Sequence, residues 1–264
     1  MNEIPATAPA TAAAHVSATP VPAGTPLPAP VSAAPPRVLL LWDIDGTLLL
    51  SGGFGRRVID EVYRAEFGEE PPRGVRFAGR TDRAIVTDHL GARGTDPAVL
   101  EAFLVRFRAV AARRGATFLQ DGGQVLPGAR EALERFAARD DAVQSLLTGN
   151  LAAAARIKLT ESGLADLVDF GAGAYGDEHV VRADLVPVAQ KAAAAEYGAD
   201  FSGPATVLIG DTPNDVAAAL AHGARVVGVA TGEYTADELR TAGAGHVLPD
   251  LRDTDALAAA LGLE

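Results

Sequence analysis

The chain has 264 residues, 48% of them apolar, and a formal net charge of −11. That is room for one sizeable α/β domain, or for a core domain with a smaller one. No apolar run is long enough to span a membrane, the negative charge argues against a general affinity for nucleic acid or anionic lipid, and the lack of Cys excludes disulfides and thiolate chemistry and fits a cytoplasmic protein.

Residues 1–36 are almost all Ala, Pro, Thr, Val and Ser. Prolines recur too often for a helix and large apolar groups are too few for a core, which predicts a disordered Ala/Pro-rich tail. It lacks the basic start and unbroken apolar segment of a secretory signal. Val38 to Trp42 then reads as a short buried strand. Helical spacing follows over Phe54 to Phe67, Asp82 to Leu90 and Pro97 to Arg114, the last entered through Asp96 and Pro97. Pro127-Gly128 begins another helix, which leads into a strand at Val143 to Leu147. From there helix and strand alternate: Leu151 to Ser162, a strand near Val168 to Gly171, a helix Leu185 to Tyr197, a strand Ala205 to Gly210, a helix Asn214 to His222 and a strand Arg225 to Ala230. This predicts an α/β fold, a Rossmann-like parallel sheet with helices on both faces. The helical block at 51–123 interrupts it and is expected to form a separate lobe.

Three strand ends carry chemistry. Asp43 and Asp45 follow the first strand, where alternation lets both carboxylates project the same way with Ile44 turned inward. Two like charges so close need a cation or a shared proton. Thr148-Gly149-Asn150 follows the second predicted strand of the core and opens a helix whose free N–H groups suit an anion. Asp211 ends a later strand, with Asp215 one helical turn beyond. Open parallel sheets bind ligands at the carboxyl ends of their strands, so these residues are expected to share one crevice.

In this order and company the chain resembles the haloacid dehalogenase (HAD) superfamily, from about Arg37 to the C-terminal region. The resemblance implies that Asp43 is a nucleophile forming an aspartyl-phosphate and that Asp45 is the general acid and base. It implies Mg²⁺ held by Asp43, Asp211 and the backbone oxygen of Asp45, with Asp215 supporting directly or through water. Thr148, Gly149 and Asn150 would bind phosphate together with a cation, for which Arg182 fits by spacing and Lys191 and Lys158 are the alternatives. The insert at 51–123 resembles the α-helical cap of the phosphoglycolate phosphatase and β-phosphoglucomutase branch, over a core of 37–50 and 124–264. Gly52, Gly53 and Gly123 are its candidate hinges. Phe77 to Asp82 resembles the cap loop of that branch, and Arg80 is placed to read a substrate carboxylate or second phosphate.

Asp45 stands where dehalogenases of the superfamily lack an acid, and the segment 51–125 has no Lys for a Schiff base, which disfavours the dehalogenase and phosphonate-cleaving branches. The implied function is Mg²⁺-dependent hydrolysis of a small phosphomonoester, phosphoglycolate phosphatase-like. A sugar-phosphate mutase using the same intermediate, a non-catalytic phospho-ligand binder and a phospho-accepting signalling domain are the rivals. No nucleic-acid or membrane partner is expected.

Overall fold

The computed structural model describes residues 37–264, so the tail expected at 1–36 lies outside the described residues. Strand β1 (Val38–Trp42) lies inside a five-stranded sheet of order β4-β1-β5-β6-β7, with β4 Ala142–Leu146, β5 Thr206–Gly210, β6 Arg225–Val229 and β7 His246–Leu248. Every pairing in it is parallel. Trp42 pairs with Leu146 on one side and Ile209 on the other, so three strands end at the same level.

A parallel sheet covered on both faces needs apolar residues at every strand position, and β1 supplies them. Leu40 and Trp42 join one buried cluster with Leu146, Val207 and Ile209. Leu39 and Leu41 join the other with Val143, Leu208 and Val226. Helices α4 (Ala129–Ala137), α5 (Ala152–Glu161), α6 (Leu185–Tyr197), α7 (Pro213–Ala221), α8 (Ala236–Ala242) and α9 (Thr254–Leu261) follow in chain order among these strands.

A short antiparallel ribbon, β2 (Leu49–Leu50) with β3 (Gln124–Val125), leads into and out of the helical insert. The insert carries α1 (Phe54–Phe67), α2 (Asp82–Leu90) and α3 (Pro97–Gly115). The first two match the predicted spans, and α3 starts as expected: Pro97 occupies its first turn and Asp96 accepts a hydrogen bond from the Ala98 amide at 2.8 Å. At the ribbon the two connections touch. Gly52 has φ +56°, and a Cβ there would stand 2.5 Å from the Asp121 carbonyl oxygen. Arg57 donates to the carbonyls of both Gly52 and Asp121.

One predicted strand is absent. Val168 to Gly171 forms no ladder; Val168 and Asp169 lie between two 3₁₀ turns, Ala165–Leu167 and Phe170–Ala172, and Phe170 and Gly171 belong to the second. Side chains divert its backbone: Asp169 folds back on the Gly171 amide, while Gln144 and Ser145 of β4 donate to the carbonyls of Leu167 and Asp169. What remains of strand pairing beside β4 is the Asp169 amide, which donates to the Gln144 carbonyl at 2.9 Å, and Ala174, bridged to Leu147. Beyond the predicted elements the chain adds α8, β7 and α9.

Candidate active site

Asp43, Thr148 and Asp211 all leave the carboxyl ends of the aligned strands β1, β4 and β5, and they line one cavity of about 630 Å³. Asp45, Gly149, Asn150, Arg182, Lys158 and Arg80 line it too. The residues named from sequence are therefore brought together, apart from Lys191, which is exposed on α6 and is not among the residues lining the cavity. Asp215 sits just behind, buried in the first turn of α7.

Two cations divide the carboxylates. Arg182, buried at the entry to α6, reaches Asp43 at 2.9 Å and Asp215 at 2.5 Å, and donates to the Leu147 carbonyl at 3.2 Å. Burial works against its charge, but Asp215 and Asp43 outweigh this and keep it protonated. Lys158, 2% exposed on α5, places Nζ 2.7 Å from both carboxylate oxygens of Asp45 and 2.7 Å from Asn150 Oδ1. Asn150 Nδ2 in turn donates to Asp45 Oδ2 at 2.6 Å and to Thr148 Oγ1 at 2.8 Å. The cation expected of one residue is thus shared by two, one on each aspartate. Lys158 comes too early in the chain for the third motif, and its role follows only from the packing of α5 beneath Asp45.

The two aspartates end in opposite electrostatic states. Burial, offset in part by Arg182 and reinforced by Asp215 and Asp45, pushes the Asp43 carboxyl up to about 6. Burial would raise Asp45 as well, but Lys158 and Asn150 overcome it and hold this carboxyl below its usual range. Asp211 is pushed up to about 8, by burial first and then by Asp43 and Asp215. Thr47 donates to Asp211 Oδ1 at 3.0 Å.

Asp43, Asp211 and Asp215 each offer an oxygen within 4.8 Å of the others. One guanidinium faces these three carboxylates, so negative charge is left over. An all-oxygen, buried donor set of this kind fits a hard divalent cation. Gly46 and Gly232 border Asp211, where a Cβ would fall 2.3 Å and 1.7 Å from Oδ2, so that oxygen is left uncrowded by side chains. Asp215 is the most committed of the three: Oδ1 holds Arg182, and Oδ2 accepts from the Thr212 amide and hydroxyl in a capping box.

One expectation fails at α5. Its helix begins at Ala152, not at Gly149-Asn150, and its first amides are not free for a ligand. The Leu151 amide donates to Asp82 Oδ2 at 2.9 Å and the Ala152 amide donates to Asp177. The positive end of the helix attracts carboxylates, and two from the protein itself have taken the place. Asp82 comes from the insert and is 6% exposed; its own amide donates to the Gly149 carbonyl at 2.6 Å. Arg80, beside it, lines the cavity but is ion-paired with Asp88 at 2.8 Å.

A HAD-hydrolase-like family model matches residues 181–254. Solved structures share the fold along most of the chain. A hydrolase from Pseudomonas syringae is 23% identical with a TM-score of 0.60, covering 82% of this chain and 95% of its own. A predicted phosphoglycolate phosphatase from Haemophilus somnus is 16% identical with a TM-score of 0.61, covering 84% and 98%. A predicted phosphatase from Clostridium acetobutylicum is 18% identical with a TM-score of 0.63, covering 85% and 99%. No curated protein matches the sequence. With the carboxylates at the strand ends where that architecture places its crevice, the molecule has the haloacid dehalogenase fold and carries the HAD-hydrolase-like sequence pattern over 181–254.

Proposed function

We propose that the protein is a Mg²⁺-dependent phosphatase of small phosphomonoesters, phosphoglycolate phosphatase-like, working through an aspartyl-phosphate on Asp43. The observation that carries this reading is the division of the paired aspartates between two cations: Asp43 faces Arg182, and Asp45 faces Lys158. Hydrolysis in two steps needs one carboxylate as nucleophile and a second that handles protons. With no substrate or cation bound, Asp43 is raised and Asp45 is held down, the reverse of what nucleophile and acid need. The roles therefore rest on position and are completed by what binds: a divalent cation beside Asp43 would favour its ionised form, and substrate beside Lys158 would release Asp45.

Asp43 attacks phosphorus, and the bond to the leaving oxygen breaks as the Asp43–phosphorus bond forms. Asp45 gives its proton to the leaving oxygen and then takes one from the water that cleaves the acyl phosphate. An arriving phosphate dianion competes for Lys158 and repels the Asp45 charge; both effects raise the carboxyl toward the protonated form that the first step requires. Arg182 and the Thr148 hydroxyl meet phosphate oxygens, the guanidinium by a planar fork suited to two of them. Asp43, Asp211 and the Asp45 backbone oxygen would hold Mg²⁺, supported by Asp215, and the ion when bound neutralises charge on the transferring group. The insert at 51–123 serves as a cap that excludes water from the cavity.

The test is phosphate release from a panel of small phosphomonoesters with Mg²⁺ and with EDTA. Mg²⁺-dependent release that Asp43→Asn abolishes is expected. No release from the folded protein would overturn the reading and return weight to a mutase or a binding protein.

A further inference from the structure

The cavity is of the size that holds a small organic molecule, roughly 300–1,000 Å³, and exceeds what a transferring phosphoryl group alone would fill. Four cationic side chains line it. Three are neutralised in place: Lys158 by Asp45, Arg182 by Asp43 and Asp215, and Arg80 by Asp88. Arg56, on α1 of the insert, makes no ion pair among the described residues. Its guanidinium lies 4.1 Å from the centre of the Phe77 ring, and Nη2 donates to the Val75 carbonyl at 3.3 Å.

These two contacts aim the side chain without cancelling its charge. Stacking on an aromatic face leaves the edge donors of the guanidinium available, and the planar fork suits a carboxylate or phosphate. The ring it rests on is itself supported, since Phe77 packs edge-on against the buried His89 at 5.7 Å. In a chain of net charge −11, an uncancelled cation facing a cavity is a local attraction for anions against an opposing global field. Glu233, from the loop after β6, lines the same cavity and makes no ion pair with Arg56.

Building on the phosphatase reading, we infer that Arg56 recognises a second anionic group on the substrate, a carboxylate or a second phosphate. This shifts the reading of the distal group from Arg80, whose guanidinium is held by Asp88, to Arg56.

The experiment compares matched short-chain alkyl phosphates ending in a hydroxyl, a carboxylate or a second phosphate. Each is assayed with the wild-type protein, Arg56→Ala, Arg56→Lys, Arg80→Ala and Glu233→Gln. A charge-assisted hydrogen bond predicts a preference in kcat/KM of about 10- to 100-fold for an anionic terminus over the hydroxyl. The carboxylate and bisphosphate arms tell the two sources apart. Arg56→Ala brings the ratio to about 1, acting through KM for the anionic ester because the contact lies away from the reacting atoms. Arg56→Lys restores part of it, while Arg80→Ala and Glu233→Gln keep it. A purely structural role for Arg56 would move all three esters together.

No preference in the wild type, or a preference that survives Arg56→Ala, overturns the inference. Calorimetric binding of phosphonates that cannot be hydrolysed, with and without a terminal carboxylate, separates the two proposals. Discrimination through Arg56 without turnover of any ester sinks the phosphatase reading and keeps this one. Turnover without discrimination does the reverse.

Discussion

Asp43 and Asp45 stand two positions apart, and burial pushes both carboxyls upward; what separates them is the cation each meets. Lys158→Met tests that separation directly. It removes the charge that holds Asp45 down, so the Asp45 carboxyl should titrate above 3.8 by NMR, while the Asp43 signal keeps its raised position. Asp45→Asn is expected to slow an alkyl phosphate at least ~10-fold more than an activated aryl phosphate, whose leaving group needs little protonation. Equal losses on both esters would remove Asp45 as the acid. Arg182→Ala should cost about 100-fold or more in kcat/KM, since it strips Asp43, the proposed nucleophile, of its partner, whereas Lys191→Ala on the exposed face of α6 should stay near wild type. Sequence made the aspartate pair legible because strand alternation alone puts positions 43 and 45 on one side. Lys158 was not assigned to Asp45, because its contact depends on how α5 packs against a strand end far away in sequence.

The start of α5 joins the insert to the sheet. Asp82 reaches from the insert onto the Leu151 amide, and its backbone closes on Gly149, where a Cβ would fall 2.0 Å from the Arg80 carbonyl oxygen. Backbone cannot yield as a side-chain tip would, so Gly149→Ala should part the loop 79–82 from α5. The expected readings are faster amide exchange over 79–82 and a loss of roughly 2 kcal/mol or more in unfolding free energy. Burial first, against Lys158 and the Leu151 amide, pushes the Asp82 carboxyl up to about 6 from 3.8. A carboxyl raised in the folded state binds its proton more tightly there than in the unfolded chain. Its stabilising contribution is complete below about 4 and disappears as pH rises through about 6, over a range worth ~3 kcal/mol at most. Asp82→Asn should flatten denaturant stability across that window; an unchanged slope would show that Asp82 titrates alike in both states. The element was readable as a helix, and its occupied N-terminus was not: a motif shows which amides are available but not which distant carboxylate reaches them first. The false strand at 168–171 has the same cause, since the side chains of Gln144 and Ser145 on the neighbouring edge strand β4 take its carbonyls.

At the scale of the whole molecule, a chain of net charge −11 concentrates three buried carboxylates around one guanidinium. Asp43 and Asp211 are raised to about 6 and about 8, so in EDTA their contribution to stability is full at low pH and lost as pH climbs through those values. A divalent cation that binds the ionised cluster compensates, so the Mg²⁺-induced rise in Tm should grow between pH 5.5 and pH 8. Asp211→Asn should raise Tm in EDTA at pH 8 and abolish the response to Mg²⁺; a response that persists would place the ion elsewhere. The parallel sheet and its crevice followed from the alternation of elements in sequence, while α8, β7 and α9 escaped because their apolar runs are short and end in Gly and Asp. The contact between Gly52 and the Asp121–Gly122 turn, stapled by Arg57, has a consequence for ancestry and engineering. An insertion whose two ends meet adds little to the loop-closure entropy of the chain that hosts it. Exchanging the helical insert at that junction would therefore cost the chain little in closure, provided the replacement also supplies what Asp82 gives to the start of α5.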